Sequence, residues 1–449
     1  MKLKTVDLAI YRLIREEEIR QKDVLEMIPS ENYTSSAVME ALGSVLTNKY
    51  SEGYAKKRYY QGNAVIDDVE LLAEERAKKL FGVPHVNVQP YSGSPANTAV
   101  YFALLDPLKD KIMGLSLAFG GHLTHGSPVS FSGKYFKIVS YELNEKGFLD
   151  YDAIERLALK EKPNIIVCGA TAYPRIIDFA RFGKIADKVS AYLLADISHI
   201  AGLIVAGAHP SPIPHVHIVM TTTHKTLRGP RGAMIMVTQK GLKKDPELGN
   251  KINKAVFPGL QGGPHDNQTA AIAVALLEAS KPSFATYGKQ IVKNAKVLAG
   301  ELTRYGFDLV SGGTDNHLLL IDLSNKKVNG AVAALALEVA GIVVNKNAVP
   351  NDSMPPFYPS GIRLGTPAIT TRGLRKKEMK KIAQWINEVI EEMEGEELLK
   401  DPSSLSSSGQ GKEARSAFWK EFKKAVWKNK KLLSIAKEVK ILCRTYPLP

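Results

Sequence analysis

Several short apolar runs in the middle of the chain end on side chains that can do chemistry. Tyr192-Leu193-Leu194-Ala195 runs into Asp196, with His199 close behind. His217-Ile218-Val219-Met220 runs into Thr221-Thr222-Thr223-His224-Lys225, and Ile165-Ile166-Val167 leads toward Thr171-Ala172-Tyr173. A lysine amine condenses with an aldehyde to a Schiff base, and a carboxylate beside a pyridine nitrogen keeps that ring protonated so that it accepts electrons. A lysine and an aspartate at one edge of one sheet therefore point to pyridoxal phosphate chemistry. Position alone is equally compatible with two solvated loop residues.

Such a cofactor needs a phosphate site. Tyr91-Ser92-Gly93-Ser94-Pro95-Ala96-Asn97 precedes a helical stretch expected over Ala99 to Leu105. Glycine lets the backbone approach closely, while serine hydroxyls and helix N-terminal N–H groups can hold a phosphate. Phe257-Pro258-Gly259-Leu260-Gln261-Gly262-Gly263-Pro264 is a second glycine-rich loop. Other motifs fail. Gly409-Gln410-Gly411-Lys412-Glu413-Ala414 fits a dinucleotide fingerprint but follows no strand. The pairs His122/His125 and His215/His217 lack a cysteine or carboxylate pattern to complete a metal site, so no metal is expected.

These residues need a scaffold. From about 64 to 240 helical patterns alternate with short apolar runs, the last being Ala233 to Val237, which implies a mainly parallel sheet covered on both faces. Ligands of such sheets bind beyond the carboxyl ends of the strands, where Asp196 and Lys225 stand. From about 285 the pattern changes to a smaller α/β region: a helix over 284–305, a strand at Leu318 to Leu323, a helix over 328–340, a strand at 342–344 and a helix over 375–394. The expected organisation is a helical arm at 1–50, a large domain at 51–284, a small domain at 285–400, and a Ser-rich linker with a basic helical tail at 401–449 that ends on the small domain.

Composition narrows the class. The chain has 449 residues, 44% of them hydrophobic and 24% charged, which suits a folded globular protein of more than one domain. Its net charge of +14 is concentrated: between Gly411 and Arg444 eleven Lys and Arg face three acids. Phe418, Phe422 and Val426, then Leu432, Ile435, Ala436 and Val439, recur at helical spacing, so this segment reads as two amphipathic helices with lysines turned to solvent. An anionic partner such as nucleic acid remains an alternative use for the tail alone. Two cysteines, Cys168 and Cys443, make no disulfide framework, and the acidic N-terminus lacks leader character, so a cytoplasmic protein without membrane segments is expected.

Taken together, the strings resemble serine hydroxymethyltransferase, a pyridoxal phosphate enzyme of fold type I (aspartate aminotransferase-like). The carrying blocks are Ser30-Glu31-Asn32-Tyr33, Tyr50-Ser51-Glu52-Gly53-Tyr54, Arg58-Tyr59-Tyr60, Ser92-Gly93-Ser94, Gly120-Gly121-His122-Leu123-Thr124-His125-Gly126, Asp196 with His199, Thr222-Thr223-His224-Lys225-Thr226, Gly229-Pro230-Arg231-Gly232, the 257–264 loop, Ser311 to His317, and Ser360-Gly361-Ile362-Arg363-Leu364-Gly365-Thr366-Pro367. They run in order from about 20 to 395, and Leu442 to Pro447 adds a last one. The resemblance implies a large three-layer domain with a mostly parallel sheet and a smaller C-terminal α/β domain.

It also implies roles. Lys225 would hold pyridoxal 5'-phosphate, Asp196 would pair with the ring nitrogen, His199 would stack on the ring and His122 would lie on its other face. Ser92, Gly93, Ser94, Tyr50, Gly262 and Gly263 would hold the phosphate, with Thr171, Thr222 and Arg231 near the cofactor. Arg363 would take the substrate carboxylate, aided by Ser30, Glu52 and His199. Glu52 would be the acid/base, with His224 and Tyr60 as further catalytic groups, and burial would raise the Glu52 pKa. Tyr59, Leu117, Gly121, Leu123, Asn347, Pro355, Pro356 and Phe357 would bind tetrahydrofolate. The reaction implied is reversible one-carbon transfer from L-serine to tetrahydrofolate, giving glycine, in a homodimer (or tetramer) whose subunits share active sites.

Blander readings stand beside these roles. Ser30 suits a helix cap, Tyr59 and Tyr60 suit core aromatics, His122 and His199 suit structural histidines, and Glu52 suits a hydrogen-bond anchor. Phe119, Ser198, Ala233 and Ala64 depart from the family pattern, and 401–431 reads as an insertion. Two other functions compete: a folate-independent aldolase for β-hydroxy amino acids such as threonine, and a binding protein that uses the tail on nucleic acid.

Overall fold

The structure is a computed structural model that describes residues 2–355, 357–394 and 419–449. The chain forms two compact units. The larger holds Ser30–Val292 with Thr314–His317; the smaller holds Met1–Pro29, Lys293–Gly313 and Leu318–Pro449.

The larger unit is built on a seven-stranded sheet: β1 (His85–Asn87), β2 (Lys111–Leu115), β3 (Lys137–Tyr141), β4 (Ile165–Cys168), β5 (Tyr192–Asp196), β6 (Ile218–Thr222) and β7 (Ala233–Val237), in the order β3-β2-β4-β5-β6-β7-β1. The pairs among β2 to β6 are parallel, while β7 is antiparallel to both of its neighbours. Chain length explains the exception. Only the residues from Thr223 to Gly232 separate β6 from β7, and a parallel return needs a crossover of about a dozen residues or more.

Successive side chains of a strand point to opposite faces, and here both faces are covered. Ile166 and Cys168, with Leu193 and Ala195, pack with Ile154, Phe179 and Phe182 of the helices Tyr151–Glu161 and Phe179–Lys188. Ile165, Val167, Leu194 and Ile218 pack the other way, with Ala96, Val100, Tyr101 and Leu248 of the helices Gly93–Leu104 and Leu248–Lys254. The apolar runs read from the sequence lack a polar face for this reason.

The smaller unit has a four-stranded antiparallel sheet of β8 (Asp308–Leu309), β9 (Leu318–Asp322), β10 (Asn345–Asn347) and β11 (Gly361–Gly365), in the order β8-β9-β11-β10. The helices Gly330–Val339, Lys376–Glu392 and Lys430–Thr445 share its core. Helical backbone at 419–426 buries Phe422 and Val426, and Lys430–Thr445 buries Leu432, Ile435, Val439 and Cys443. Basic residues of the tail pair with acids of the same unit: Lys431 with Glu388 at 2.6 Å, and Lys440 with Asp23 at 2.6 Å. Phe418 and the Ser-rich stretch at 401–411 lie outside the described residues.

The N-terminal pattern resolves into Leu3–Val6, the helix Leu8–Asp23 and the short strand Leu25–Glu26, which pairs in parallel with Ile342–Val343. Asp7 caps the longer helix by accepting from the Ile10 amide at 3.0 Å. None of that helix's residues is buried, and Ile10, Leu13, Ile14 and Ile19 are exposed. Its end is tied down by a buried arginine. The Arg372 guanidinium donates to the carbonyls of Gln21, Lys22 and Val24, and to those of Cys443 and Tyr446, at 2.6–3.1 Å. Carbonyls at the ends of two helices are thereby satisfied, the one at Cys443 together with the Tyr446 amide at 3.2 Å. Among the described residues, no helix is long and apolar enough to cross a membrane.

Candidate active site

The carboxyl ends of β4, β5 and β6 meet around a cavity in the larger unit. Gly93, His122, Thr171, Asp196, His199, Thr222 and Lys225, all singled out from the sequence, line it together with His125, Ala170, Ser198 and Met220. Gly169, just past β4, makes this convergence possible. A Cβ there would lie 2.3 Å from the Asp196 carbonyl oxygen and 3.0 Å from its Cβ, so only glycine lets the two strand ends close up.

Asp196 is buried and fully engaged. Its Oδ2 accepts from Asn97 Nδ2 at 3.0 Å and lies 3.0 Å from His125 Nε2. Its Oδ1 accepts from the Ser198 amide at 3.1 Å and from the Ser198 hydroxyl at 2.6 Å. Burial alone would raise its pKa, but the His125 hydrogen bond and the electrostatic influence of its cationic surroundings, Lys225 among them, outweigh burial and hold the carboxyl well below the usual range. Thr124 extends the network, accepting from Asn97 at 2.8 Å and lying 2.8 Å from His122 Nδ1. Burial lowers the His122 pKa to about 4, so this ring is neutral at neutral pH. Asn97 and His125 were not assigned roles from the sequence. The His122/His125 spacing was the available signal for the latter; a helix-interior asparagine carries none.

Lys225 lies in the β6–β7 connection. Thr226 donates to the His199 carbonyl at 2.9 Å, Thr223 to the Pro230 carbonyl at 2.6 Å, and Asn32 to the carbonyl of Lys225 itself at 3.0 Å. His224, beside it, is lowered to about 3, mainly by burial and then by the charges of Lys225 and Arg231. Arg231 itself is exposed.

A ring aldehyde bearing a phosphate fits these residues. Thr222 Oγ1 is buried without a hydrogen-bond partner, and a Cβ on Gly93 would come within 2.8 Å of Thr222 Cγ2. The helix expected from Ala99 begins at Gly93 instead, because Pro95 falls in the first turn, where its missing N–H costs nothing. Ser92 is thus the N-cap, its side chain makes no capping bond, and the Ser-Gly-Ser string is the helix N-terminus itself.

A second cluster lies on the hairpin of Gly53–Tyr54 and Lys57–Arg58. The Tyr60 hydroxyl donates to Glu52 Oε2 at 3.1 Å and the Tyr50 hydroxyl to Oε1 at 3.4 Å. A Cβ on Gly262 would sit 3.1 Å from Glu52 Oε1, while the Gly263 carbonyl accepts from Tyr91 at 2.7 Å. None of these residues lines the Lys225 cavity in the single chain. Glu52 is half-buried and Tyr50, Tyr59 and Tyr60 are exposed, so the tyrosines are not core aromatics and the chain alone does not bury Glu52. Arg58 anchors the hairpin. It donates to the carbonyls of Ser51 and Gly53, on either side of Glu52, at 2.9 Å each, and pairs with Asp67 at 2.9 Å and Glu70 at 3.0 Å.

The remaining candidates are dispersed. His199 Nδ1 lies 3.2 Å from His317 Nε2 with the rings stacked. Ser30 is half-buried in a turn, and the N-cap of the next helix is Ser35. Leu117 and Leu123 are exposed, and Gly121 is forced because a Cβ would lie 1.9 Å from the Leu115 carbonyl. In the smaller unit, Arg363 is buried on β11, donates to Asn345 at 3.0 Å and is lowered to about 10 by burial. Asn347 is on β10, Pro355 is half-buried, Phe357 is exposed, and Pro356 lies outside the described residues. Of the family departures, Ser198 bonds Asp196 directly, Ala233 opens β7, Ala64 opens the helix Ala64–Phe81, and Phe119 packs partly buried against the core. Among the described residues no group of three or more His, Cys, Asp or Glu is placed to hold a metal.

Sequence comparison agrees with this geometry. A sequence model described as serine hydroxymethyltransferase matches residues 3–386. Serine hydroxymethyltransferase of Desulfotalea psychrophila is 58% identical over 397 residues, covering 88% of this chain and 92% of that protein. The enzyme of the same name from Acidothermus cellulolyticus is 58% identical over 388 residues, covering 86% and 89%. A probable serine hydroxymethyltransferase of Rickettsia bellii is 53% identical over 397 residues, covering 88% and 93%. The chain belongs to the serine hydroxymethyltransferase family, the fold type I enzymes that use pyridoxal phosphate to exchange a one-carbon unit between serine and tetrahydrofolate, with glycine as the other product.

Proposed function

We propose that the larger unit's cavity is where serine is cleaved, with Lys225 as the residue that carries the cofactor. When bound, pyridoxal phosphate supplies an electron sink for the pair released from the Cα–Cβ bond of serine. The observation that carries the assignment is Asp196: a buried carboxylate kept ionised by four hydrogen bonds suits a protonated ring nitrogen and little else. His125, Asn97 and Ser198 orient it. The Ser92 and Ser94 hydroxyls, the N–H groups that open the Gly93 helix, and Thr222 would hold the phosphate, and neutral His122 and the His199 ring would flank the cofactor ring.

Arg363 binds the substrate carboxylate as a fixed bidentate donor. Glu52, with Tyr60 donating to it, moves the proton between the serine hydroxyl and the folate. The family resemblance has Tyr50, Glu52 and the 262–263 loop serving a neighbouring subunit. Their position away from the Lys225 cavity supports that, and so does the exposed apolar stripe of Leu8–Asp23, so we read the enzyme as a homodimer. The tail's ion pairs with its own unit support a structural role rather than a nucleic-acid one.

Purified protein is expected to convert L-serine to glycine in proportion to added tetrahydrofolate, and to elute at twice the chain mass. Cleavage of allo-threonine with no folate-stimulated serine turnover would overturn the reading in favour of an aldolase.

A further inference from the structure

The loop from 349 to 360 in the smaller unit carries three of the residues assigned to tetrahydrofolate. Asp352 closes its base, accepting from the amides of Val349 at 3.3 Å and Ser360 at 2.9 Å and from the Ser360 hydroxyl at 2.7 Å. Above that clasp the tip exposes Phe357, 77% accessible. Lys346 donates to the Phe357 carbonyl at 2.6 Å and sits 5.8 Å from the centre of the Tyr358 ring. The Tyr358 ring also stacks on the indole of Trp419, with centroids 6.0 Å apart and planes 21° apart. Trp419 in turn meets Phe422 edge-on at 5.7 Å, and Phe422 belongs to the buried core of this unit. A continuous line of rings therefore runs from the core to the loop tip.

The source of the outer ring matters. The family match ends at residue 386, and Trp419 lies beyond it, in the basic tail. Lys346 and Asn329 hold the carbonyls of Phe357 and Tyr358, but those bonds leave the Tyr358 ring free to turn; ordering it costs affinity each time a ligand settles on the tip, and a ring stacked on it removes part of that cost in advance. We propose that Trp419 is a positioning residue for tetrahydrofolate: a segment outside the matched region holds Tyr358, and with it Phe357, in the conformation that receives the pterin. The inference rests on the assignment of Asn347 and the 355–357 tip to folate.

The experiment uses the full chain with cofactor and three variants: W419A, W419F and N347A. An aromatic stack of this kind is worth roughly three- to tenfold in an equilibrium. W419A is expected to raise the KM for tetrahydrofolate by about that factor while kcat with serine and folate-free cleavage of allo-threonine stay at the wild-type level. W419F is expected to recover most of the loss. An unchanged folate KM in W419A, alongside a raised one in N347A, overturns the role of Trp419 and leaves the folate assignment standing. An unchanged folate KM in N347A overturns that assignment and the inference with it. A parallel fall of folate-free cleavage in W419A makes the residue merely structural and also overturns it.

Discussion

The cavity wall around Asp196 and the hairpin around Glu52 both present a carboxylate to chemistry, but they hold it in opposite ways. Asp196 is buried and takes four hydrogen bonds from three elements of the same unit. Glu52 is half-buried and its two partners are tyrosines that face solvent. The hairpin is nevertheless firm, because Arg58 clamps the carbonyls on both sides of Glu52 and is itself sandwiched by Asp67 and Glu70. Under the roles proposed above, Asp196 serves as a fixed charge and Glu52 as a proton carrier on a fixed backbone. A charge that must persist through the reaction needs desolvation countered by partners, whereas a proton carrier needs a rigid backbone under an accessible side chain.

The comparison can be broken at several points. Lys225→Ala should remove the visible absorption of bound cofactor and lower serine turnover by at least about a thousandfold, read by spectrum and glycine formation together. Glu52→Gln should cost roughly a hundred- to ten-thousandfold in folate-dependent turnover while leaving the cofactor spectrum intact; a lost spectrum would place Glu52 on the cofactor side of the divide. Arg58→Ala should lower unfolding stability by about 3–5 kcal/mol, since it strands the buried Glu70 carboxylate and the half-buried Asp67. Burial already raises the Glu70 pKa and Arg58 opposes that rise. Without Arg58 the folded-state value climbs further above the unfolded one, so the variant should lose more stability as the pH rises, as measured by urea midpoints at two pH values.

The smallest effect concerns acid. His122 and His224 are held near 4 and 3, below their ordinary 6.5. Below pH 6.5 the unfolded chain takes up protons that the folded chain refuses, so wild-type stability should be intact above that pH. It should fall by about 1 kcal/mol per pH unit for each histidine between 6.5 and about 4. A urea midpoint that stays flat over that window would mean that neither ring is kept neutral.

Much of the scaffold could be read from pattern. The runs at 165–167, 192–195, 217–220 and 233–237 are strands because uninterrupted apolar residues suit a sheet covered on both faces. Helical spacing over 284–305 and 375–394 corresponds to Pro282–Arg304 and Lys376–Glu392. The reversed direction of β7 left no trace in its residues, since a strand buried on both faces looks the same either way round; the shortness of the Thr223–Gly232 link was the only hint. At the site, Asp196 and Lys225 were legible because they stand at, or just past, the carboxyl ends of apolar strands. Asn97 was not, because its role depends on where a helix packs, and no local spacing records that. Ser198 was visible only as a departure, and its hydroxyl turns out to bridge Asp196 and the Thr222 amide at 3.1 Å.

The carbonyls gathered by Arg372 bear on how the molecule would be degraded. Residues 21–24 and 443–446 are far apart in sequence but depend on the same guanidinium. Cleavage that removed Tyr446 and Cys443 would take away two of its five acceptors and leave a buried cation partly unsatisfied, and loss of Arg372 would release the C-terminal segment and the end of the Leu8–Asp23 helix together.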